Sequence, residues 1–122
     1  MTHPKVTVLM SVLNGEDYLS EAIDSILAQT FTDFEFLIID NASTDGTAAI
    51  IASYGDARIR CIRNDSVLTL TQSLNKGLKA ARGEYIARLD ADDIAMTDRL
   101  QAQVSYLDTR PEVALVASAW TD

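Results

Sequence analysis

Short apolar segments alternate with longer amphipathic segments along the 122 residues of the chain. The apolar segments are rich in Val, Ile and Leu with little polar alternation, which is typical of strands covered on both faces of a parallel sheet. Strands that alternate with helices indicate repeated βαβ units. The pattern predicts an α/β fold with a mostly parallel sheet flanked by helices, and its five strands begin near Val6, Glu35, Arg58, Glu84 and Val113.

The amphipathic segments predict four helices between these strands. We expect them over residues 17–29, from a cap at Ser43 or Thr44 to residue 54, over residues 68–82, and from a cap at Thr97 to residue 108. Residues spaced three and four apart form the predicted buried side of each helix. In the third helix this side comprises Leu70, Leu74, Leu78 and Ala81.

Length and composition indicate a single globular domain over residues 1–122. The longest apolar run, residues 6–13, is well below the ~20 residues of a transmembrane helix. The N-terminus lacks the shape of a signal peptide. We therefore expect a cytoplasmic location or the cytoplasmic face of a membrane, and we expect the single cysteine, Cys61, to be buried in a strand.

The formal net charge of −8 argues against a broad nucleic-acid surface, because phosphate backbones bind through clustered Lys and Arg. An anionic small ligand can still bind where a metal ion inverts the local field. The charge therefore excludes one class of partner and leaves anionic small molecules open.

Polar residues stand where three of the predicted strands end. They are residues 11–16 after the first strand, Asp40 with Asn41 after the second, and residues 90–93 after the fourth. In an open parallel sheet the carboxyl ends of the strands share one edge, and ligands bind beyond that edge. We therefore expect these three groups to converge on one site.

Residues 90–93, Asp-Ala-Asp-Asp, place three carboxylates in four positions directly after an apolar strand. Such charge repels itself unless a cation or a proton shares the site. Mg²⁺ and Mn²⁺ prefer oxygen ligands, and they bind substrate phosphates at the same time. The cluster predicts a divalent metal with Asp93 in a supporting position, although a solvated turn that caps the next helix has the same short motif.

The sequence lacks most of the residues that other nucleotide- or phosphate-binding sites require. No Gly-x-Gly-x-x-Gly follows the first strand, and no Walker-type Gly-Lys-Ser/Thr is present. One alternative of matching size is a phosphoacceptor receiver domain, a five-stranded α/β fold with metal-assisted aspartate chemistry. It needs acidic residues after the first strand, an Asp after the third and a Lys after the fifth, where this chain has Leu13-Asn14, Arg63-Asn64 and Trp120-Thr121.

Five motifs in order resemble the family 2 glycosyltransferases, from about Lys5 to Val116. They are residues 4–14, 25–31, 34–46, 81–86 and 89–93. The resemblance implies the GT-A fold, in which a Rossmann-like nucleotide-binding half precedes an acceptor-binding half. It also implies inverting transfer of a sugar from a nucleotide diphosphate to an acceptor hydroxyl, so that residues 1–122 would be a fragment without the acceptor half.

The resemblance assigns a nucleoside pocket to the ends of the first two strands. Ser11 and the backbone of Val12 would line it, with Glu16 near the base or ribose. Asp40 and Asn41 would lie at a uracil ring, where the family usually has a second Asp at the Asn41 position. Because the resemblance places a uracil ring at Asp40 and Asn41, UDP is the favoured donor nucleotide.

The diphosphate would lie beside Asn75 and Gly77, and Mn²⁺ or Mg²⁺ would bind Asp92 directly. Asp90 would contact the ribose, the metal or a metal-bound water, with Ala91 at the same pocket. No residue matches the family's catalytic base, which belongs to the second half, so we expect the base beyond residue 122.

The resemblance also suggests partners. A saccharide or a lipid-linked saccharide would accept the sugar, and an apolar surface left by truncation, including Trp120, could promote self-association. A non-catalytic α/β module that keeps only the nucleotide pocket is the alternative from another functional class.

Overall fold

A computed structural model of the chain describes residues 3–109 and 115–116. Strands and helices alternate along these residues without exception, as the hydrophobic pattern predicts. In chain order the elements are β1 (Val6–Val12), α1 (Leu19–Leu27), β2 (Phe34–Asp40), α2 (Thr47–Ser53), β3 (Ile59–Arg63), α3 (Leu70–Ala80), β4 (Tyr85–Arg88), α4 (Arg99–Asp108) and β5 (Leu115–Val116).

The described strands form one sheet in the order β3-β2-β1-β4-β5, and every neighbouring pair is parallel. Val6 of β1 lies opposite Phe34 of β2 and Tyr85 of β4. The prediction of a mostly parallel α/β sheet is confirmed. The receiver-domain alternative is wrong, because flavodoxin-like receiver sheets have the order 2-1-3-4-5.

Three helices cover one face of the sheet and α3 covers the other. Side chains from α1, α2 and α4 pack with Val8, Met10 and Phe36 in the larger core cluster. On the opposite face Leu74 and Ala80 of α3 pack against a smaller cluster of Leu9, Leu37 and Ile39. Strand β2 has a neighbour on each side and is buried at all seven positions, which explains its largely apolar sequence.

Strand β3 is less buried than its sequence predicts. Cys61 is exposed, which contradicts its predicted burial, because β3 is an edge strand of the sheet that the described residues form. Of the fifth predicted strand, residues 113–119, the described part forms β5 beside β4. The remaining residues of that prediction, with Trp120, lie outside the described residues.

The predicted buried side of α3 is wrong at Leu70 and Leu78, whereas Leu74 packs against the sheet as predicted. Leu70 and Leu78 are 52% and 43% exposed, whereas Ser73 and Gly77 are the buried residues of this helix. A Cβ at Gly77 would overlap the side chain of Leu9, so the helix approaches β1 where it carries no side chain. Close packing through small residues therefore outweighs the leucine stripe.

Helix starts also differ from the predicted caps. Thr69 caps α3 in a capping box with Gln72, whose backbone N–H donates to the Thr69 hydroxyl while the Gln72 side chain accepts from the Thr69 N–H. Thr97 does not cap α4, which begins at Arg99. Instead the buried Gln29 accepts a hydrogen bond from the Leu100 N–H at 2.9 Å.

Candidate functional site

The topology brings three predicted polar groups to the carboxyl edge of the sheet. The chain builds outward from β1 through β2 to β3, and it then returns to the other side of β1 with β4. Val12 lies opposite Asp40, and the Leu89 N–H donates to the Leu9 carbonyl at 3.0 Å, which carries the β1–β4 pairing past Arg88. The ends of β1 and β4 therefore flank the point where the strand order reverses, which is where α/β sheets bind ligands.

The acidic cluster follows β4 at this point. One carboxylate oxygen from each of Asp90, Asp92 and Asp93 lies within 4.8 Å of the other two. Ala91 is 8% exposed and packs into the core, which anchors the loop between the first two acids. The Asp93 N–H donates to the Asp90 carbonyl at 3.0 Å and closes a turn, so backbone geometry as well as sequence groups the carboxylates.

The donor set of this cluster fits a hard divalent cation. All three groups are carboxylates, the ligands that Mg²⁺ and Mn²⁺ prefer. Two oxygens on one such ion lie up to about 4 Å apart, so carboxylate oxygens within 4.8 Å of one another are close to the spacing that one ion requires. Asp92 is exposed and open to a ligand, whereas Asp90 is half-buried and accepts from the Arg88 guanidinium at 3.2 Å.

Asp40 ends β2 as an almost fully buried carboxylate, 1% exposed. One oxygen accepts from the Ser43 N–H at 3.1 Å, and the other accepts from the half-exposed Arg63 guanidinium at 2.6 Å. Arg63 also donates to the Ser43 carbonyl at 2.9 Å. Asp40 therefore fixes the turn after β2 and holds the Arg63 guanidinium at the carboxyl edge of the sheet.

Asn41 is buried, and its amide is hydrogen-bonded on both sides. Its Nδ2 donates to the Leu68 carbonyl, and its Oδ1 accepts from the Leu68 N–H and from Asn64 Nδ2, each at 2.9 Å. Asn64 is 1% exposed, donates also to the Ser73 hydroxyl, and accepts from Lys76 Nζ. Asn41 therefore ties the loop before α3 to the end of β2.

Glu16 joins the loop after β1 to the loop before α2. Its carboxylate accepts from the Gly46 N–H at 3.0 Å, while its own N–H donates to the Asp45 carboxylate at 3.2 Å. Hydrogen bonds from the Thr47 hydroxyl and backbone lower the pKa of Asp45. Asp45 accepts from the Thr47 N–H just before α2, whose N-cap is Gly46, so the predicted caps Ser43 and Thr44 are wrong.

The other predicted pocket residues differ in their access to solvent. Ser11 is half-buried, and Val12 is buried with its carbonyl accepting from the Asn41 N–H at 2.8 Å. Asn75 is exposed on α3, and Gly77 is buried against β1. Direct contact of these residues with a ligand stays a prediction.

Residues 7–121 match the family described as Glycosyl transferase family 2. The chain belongs to glycosyl transferase family 2. The predicted family is thereby confirmed over nearly the whole sequence. Among the described residues, no helix is both long and apolar enough to cross a membrane.

Relatives and solved structures agree with this family. The chain is 36% identical over 104 residues to WfaP of Escherichia coli, named as a UDP-Glc:α-D-GlcNAc-diphosphoundecaprenol β-1,3-glucosyltransferase, and the match covers 85% of this chain and 41% of WfaP. The chain spans 42% of the length of each of the first two curated relatives it matches.

Two solved structures resemble the family 2 chain closely. S. aureus TarS 1-349 in complex with UDP-GlcNAc has a TM-score of 0.80 and 26% identity, covering 88% of this chain and 32% of that one. A mannosyltransferase from Pyrobaculum calidifontis, in complex with GDP-Man and Mn²⁺, has a TM-score of 0.79 and 27% identity, covering 88% of this chain and 33% of its own. The fold is therefore that of the GT-A nucleotide-binding half.

Sequence reasoning missed the polar partners that hold this site. Arg63 ends β3 directly opposite Asp40 in the parallel register, so the pair could have been predicted once β2 and β3 were taken as neighbours. Arg88 stands two residues before Asp90, a spacing that places both on the same face of a strand. Asn64 gave no comparable signal, because its side-chain partners lie on two distant segments, Asn41 after β2 and Ser73 with Lys76 on α3.

Proposed function

We propose that this chain is the donor-binding part of an inverting glycosyltransferase and that it binds a nucleotide diphosphate sugar through a divalent metal. The convergence of Asp90, Asp92 and Asp93 at the strand-order reversal carries this proposal. A diphosphate and three carboxylates share one sign of charge, so a cation between them is the electrostatic requirement of the site.

The nucleoside would lie across the ends of β1 and β2. Ser11, the Val12 backbone and Glu16 would contact the base and ribose, and Asp40 would lie at the edge of the base. The oxygen and the nitrogen of the Asn41 side-chain amide are both already hydrogen-bonded to Leu68. This residue would therefore shape the base pocket through the loop at Leu68. The Asn41 Oδ1 already accepts two hydrogen bonds, so an N–H group of a base could donate to it only by displacing one of them.

The diphosphate would lie between α3 and the acidic cluster. Asn75 is exposed there and can donate through its amide, while Gly77 lets α3 pack close to β1. Asp92 would bind the metal directly, and Asp90, oriented by Arg88, would bind the metal or a ribose hydroxyl, with Ala91 anchoring the loop. When bound, Mn²⁺ or Mg²⁺ would offset the negative charge that develops on the departing nucleotide diphosphate.

UDP is the favoured nucleotide, supported by the UDP-GlcNAc complex of TarS and by the UDP-Glc donor in the name of WfaP. The GDP-Man complex of the mannosyltransferase keeps GDP as a competitor in every test. The acceptor would be a saccharide or a lipid-linked saccharide at the cytoplasmic membrane face. An inverting transfer also needs a carboxylate base on the opposite side of the anomeric carbon, and we place that base in the part of the relatives that this chain does not match.

A thermal shift measurement tests donor binding. We expect UDP with Mn²⁺ to raise the melting temperature of the chain, and neither UDP nor Mn²⁺ alone to do so to the same extent. Asp92→Ala should abolish the shift, and Asp93→Ala should reduce it less. An absence of any shift with UDP, dTDP and GDP in the presence of metal would contradict the proposal.

Turnover separates a transferase part from a non-catalytic nucleotide-binding module. We expect no hydrolysis or transfer of a nucleotide-sugar by residues 1–122 alone and transfer by a longer chain that includes a second half. Nucleotide binding without transfer by the longer chain would favour the non-catalytic module.

A further inference from the structure

A second polar cleft lies at the opposite, amino edge of the sheet. It has a volume of 470 Å³, and Glu35, Arg58, Arg60 and Arg82 supply its charged lining. The seven residues of β2 separate this edge from Asp40 by roughly 20 Å. We propose that this amino-edge cleft binds a phosphate group carried by a small molecule or a headgroup, independently of the donor site.

Arg58 is held in place on one wall of the cleft. Its guanidinium donates two hydrogen bonds to the Asp56 carboxylate, at 3.0 and 2.8 Å, and stacks 4.6 Å from the centre of the Phe34 ring. Because stacking and the bidentate pair fix the guanidinium plane, little side-chain entropy would be lost when its outer face meets a ligand. The wall is therefore formed before any ligand arrives.

Glu35 organises the floor of the cleft. Its carboxylate accepts from the Thr7 hydroxyl and the Arg82 N–H at 2.6 Å each, and from the Arg60 guanidinium at 3.0 Å. Burial raises the pKa of this carboxyl, but these hydrogen bonds and the Arg60 charge outweigh burial and hold the pKa below its usual value. The Nε of Arg60 is buried and has no hydrogen-bond acceptor within the described residues.

Arg82 supplies the charge that is not offset. Its side chain is exposed, and no carboxylate within residues 3–109 forms an ion pair with it. Three arginines face two carboxylates, Asp56 and Glu35, so the cleft has one excess positive charge in a chain whose net charge is −8.

These features fit a phosphate group better than they fit a cation or an apolar ligand. Guanidinium groups offer paired N–H donors that match the oxygens of a phosphate, and the acidic partners of the cleft are already engaged by arginine. A volume of 470 Å³ is that of a small-molecule site and exceeds what a bare ion needs. Inorganic phosphate and an anionic lipid headgroup present the same chemistry to it.

Backbone amide spectra of the ¹⁵N-labelled chain, recorded during titration with inorganic phosphate, test the proposal. We expect the signals of Arg60, Arg82 and Gly83 to move together, with smaller changes at residues 90–93. Arg82→Gln should weaken this binding roughly tenfold, since it removes a charge-assisted hydrogen bond. Lys79→Gln removes the same charge from an exposed position at the end of α3 and should leave the affinity within about twofold.

Vesicles distinguish the source of the phosphate group. Binding to phosphatidylglycerol vesicles and not to phosphatidylcholine vesicles, lost in Arg82→Gln and kept in Lys79→Gln, would support a headgroup. Phosphate titration at the cleft without vesicle binding would support a free phosphorylated molecule. Equal effects of the two variants, or movement confined to the carboxyl edge, would overturn the proposal while leaving donor binding untouched.

Discussion

Buried polar side chains at single positions decide the geometry of the carboxyl edge. Asn41 and Asn64 are 5% and 1% exposed, and each uses both its donor and its acceptor within the chain. A buried amide that lost a partner would cost about 1–3 kcal/mol, so these contacts hold their loops firmly. The sequence placed Asn41 at the right edge, but its partners could not be predicted because hydrogen bonds between distant loops leave no periodic signal.

Asn41→Asp tests whether this residue clamps the loop before α3. The new carboxylate would face the Leu68 carbonyl, where Asn41 now donates at 2.9 Å, and it would lie beside the buried Asp40. We expect a loss of about 2 kcal/mol in the free energy of unfolding, measured with urea at pH 7. Asn75→Asp, the same change at an exposed position, should cost less than about 0.5 kcal/mol. Equal losses would show that the Asn41 contacts do not matter.

Glu35→Gln tests the buried carboxylate at the amino edge through pH. The folded state lowers the Glu35 pKa from its usual 4.5, so the carboxylate stabilises the fold above that pH and loses this contribution as the pH falls through the lowered value. We expect the variant to be less stable by about 2 kcal/mol at pH 7, with a difference that shrinks below pH 4.5. Unfolding curves of both chains from pH 7 to pH 3 measure it, with Glu21→Gln on the exposed side of α1 as the control. A difference that grows on acidification would contradict the assignment.

At the scale of elements, close approach to β1 determines how α3 and the turn before β4 are packed. Ser73 and Gly77 are the buried residues of α3 in place of the predicted Leu70 and Leu78, and Gly83 donates its N–H to the Thr7 hydroxyl at 2.8 Å. Alternating hydrophobicity predicted every element because a buried parallel strand and an amphipathic helix have different periods. The hydrophobic pattern failed for the buried side of α3, because periodicity is read from large apolar residues and does not show where small residues such as Ser73 and Gly77 are buried.

Gly83→Ala tests this close approach. A Cβ at Gly83 would overlap the Thr7 backbone nitrogen and lie 2.5 Å from the Val6 carbonyl carbon, atoms of a central strand that cannot move aside. We expect the variant to lose about 2–3 kcal/mol of unfolding free energy by urea denaturation. Gly55→Ala has nothing within 4 Å of its new methyl and should change stability by less than about 0.5 kcal/mol. A tolerated Gly83→Ala would mean that the turn before β4 lies farther from β1.

At the scale of the whole molecule, topology separates two α/β folds that composition cannot distinguish. The order β3-β2-β1-β4-β5 puts the strand-order reversal between β1 and β4, beside the acidic cluster. The sequence predicted the convergence of three strand ends from parallelism alone, and it did not predict the order. The strand order depends on which side of β1 pairs with β4, and no local sequence pattern indicates that side.

The same sheet divides the chain into two edges of different charge. The carboxyl edge holds Asp90, Asp92 and Asp93, and the amino edge holds the arginine-lined cleft. A net charge of −8 conceals this division, because a sum over the chain does not tell where the charges lie. Two anionic ligands would therefore be bound by different means, one through a metal and the other through guanidinium groups.

Isothermal titration of the chain with UDP, in the presence and absence of Mn²⁺, tests the metal-dependent donor site most directly. We predict that Mn²⁺ strengthens UDP binding at least about tenfold, that Asp92→Asn removes this gain, and that Asp98→Asn, an exposed acid at the start of α4, keeps it. GDP and dTDP titrated in parallel would show whether the base pocket prefers uracil. UDP affinity that is the same with and without Mn²⁺, or a gain from Mn²⁺ that survives Asp92→Asn, would contradict the account.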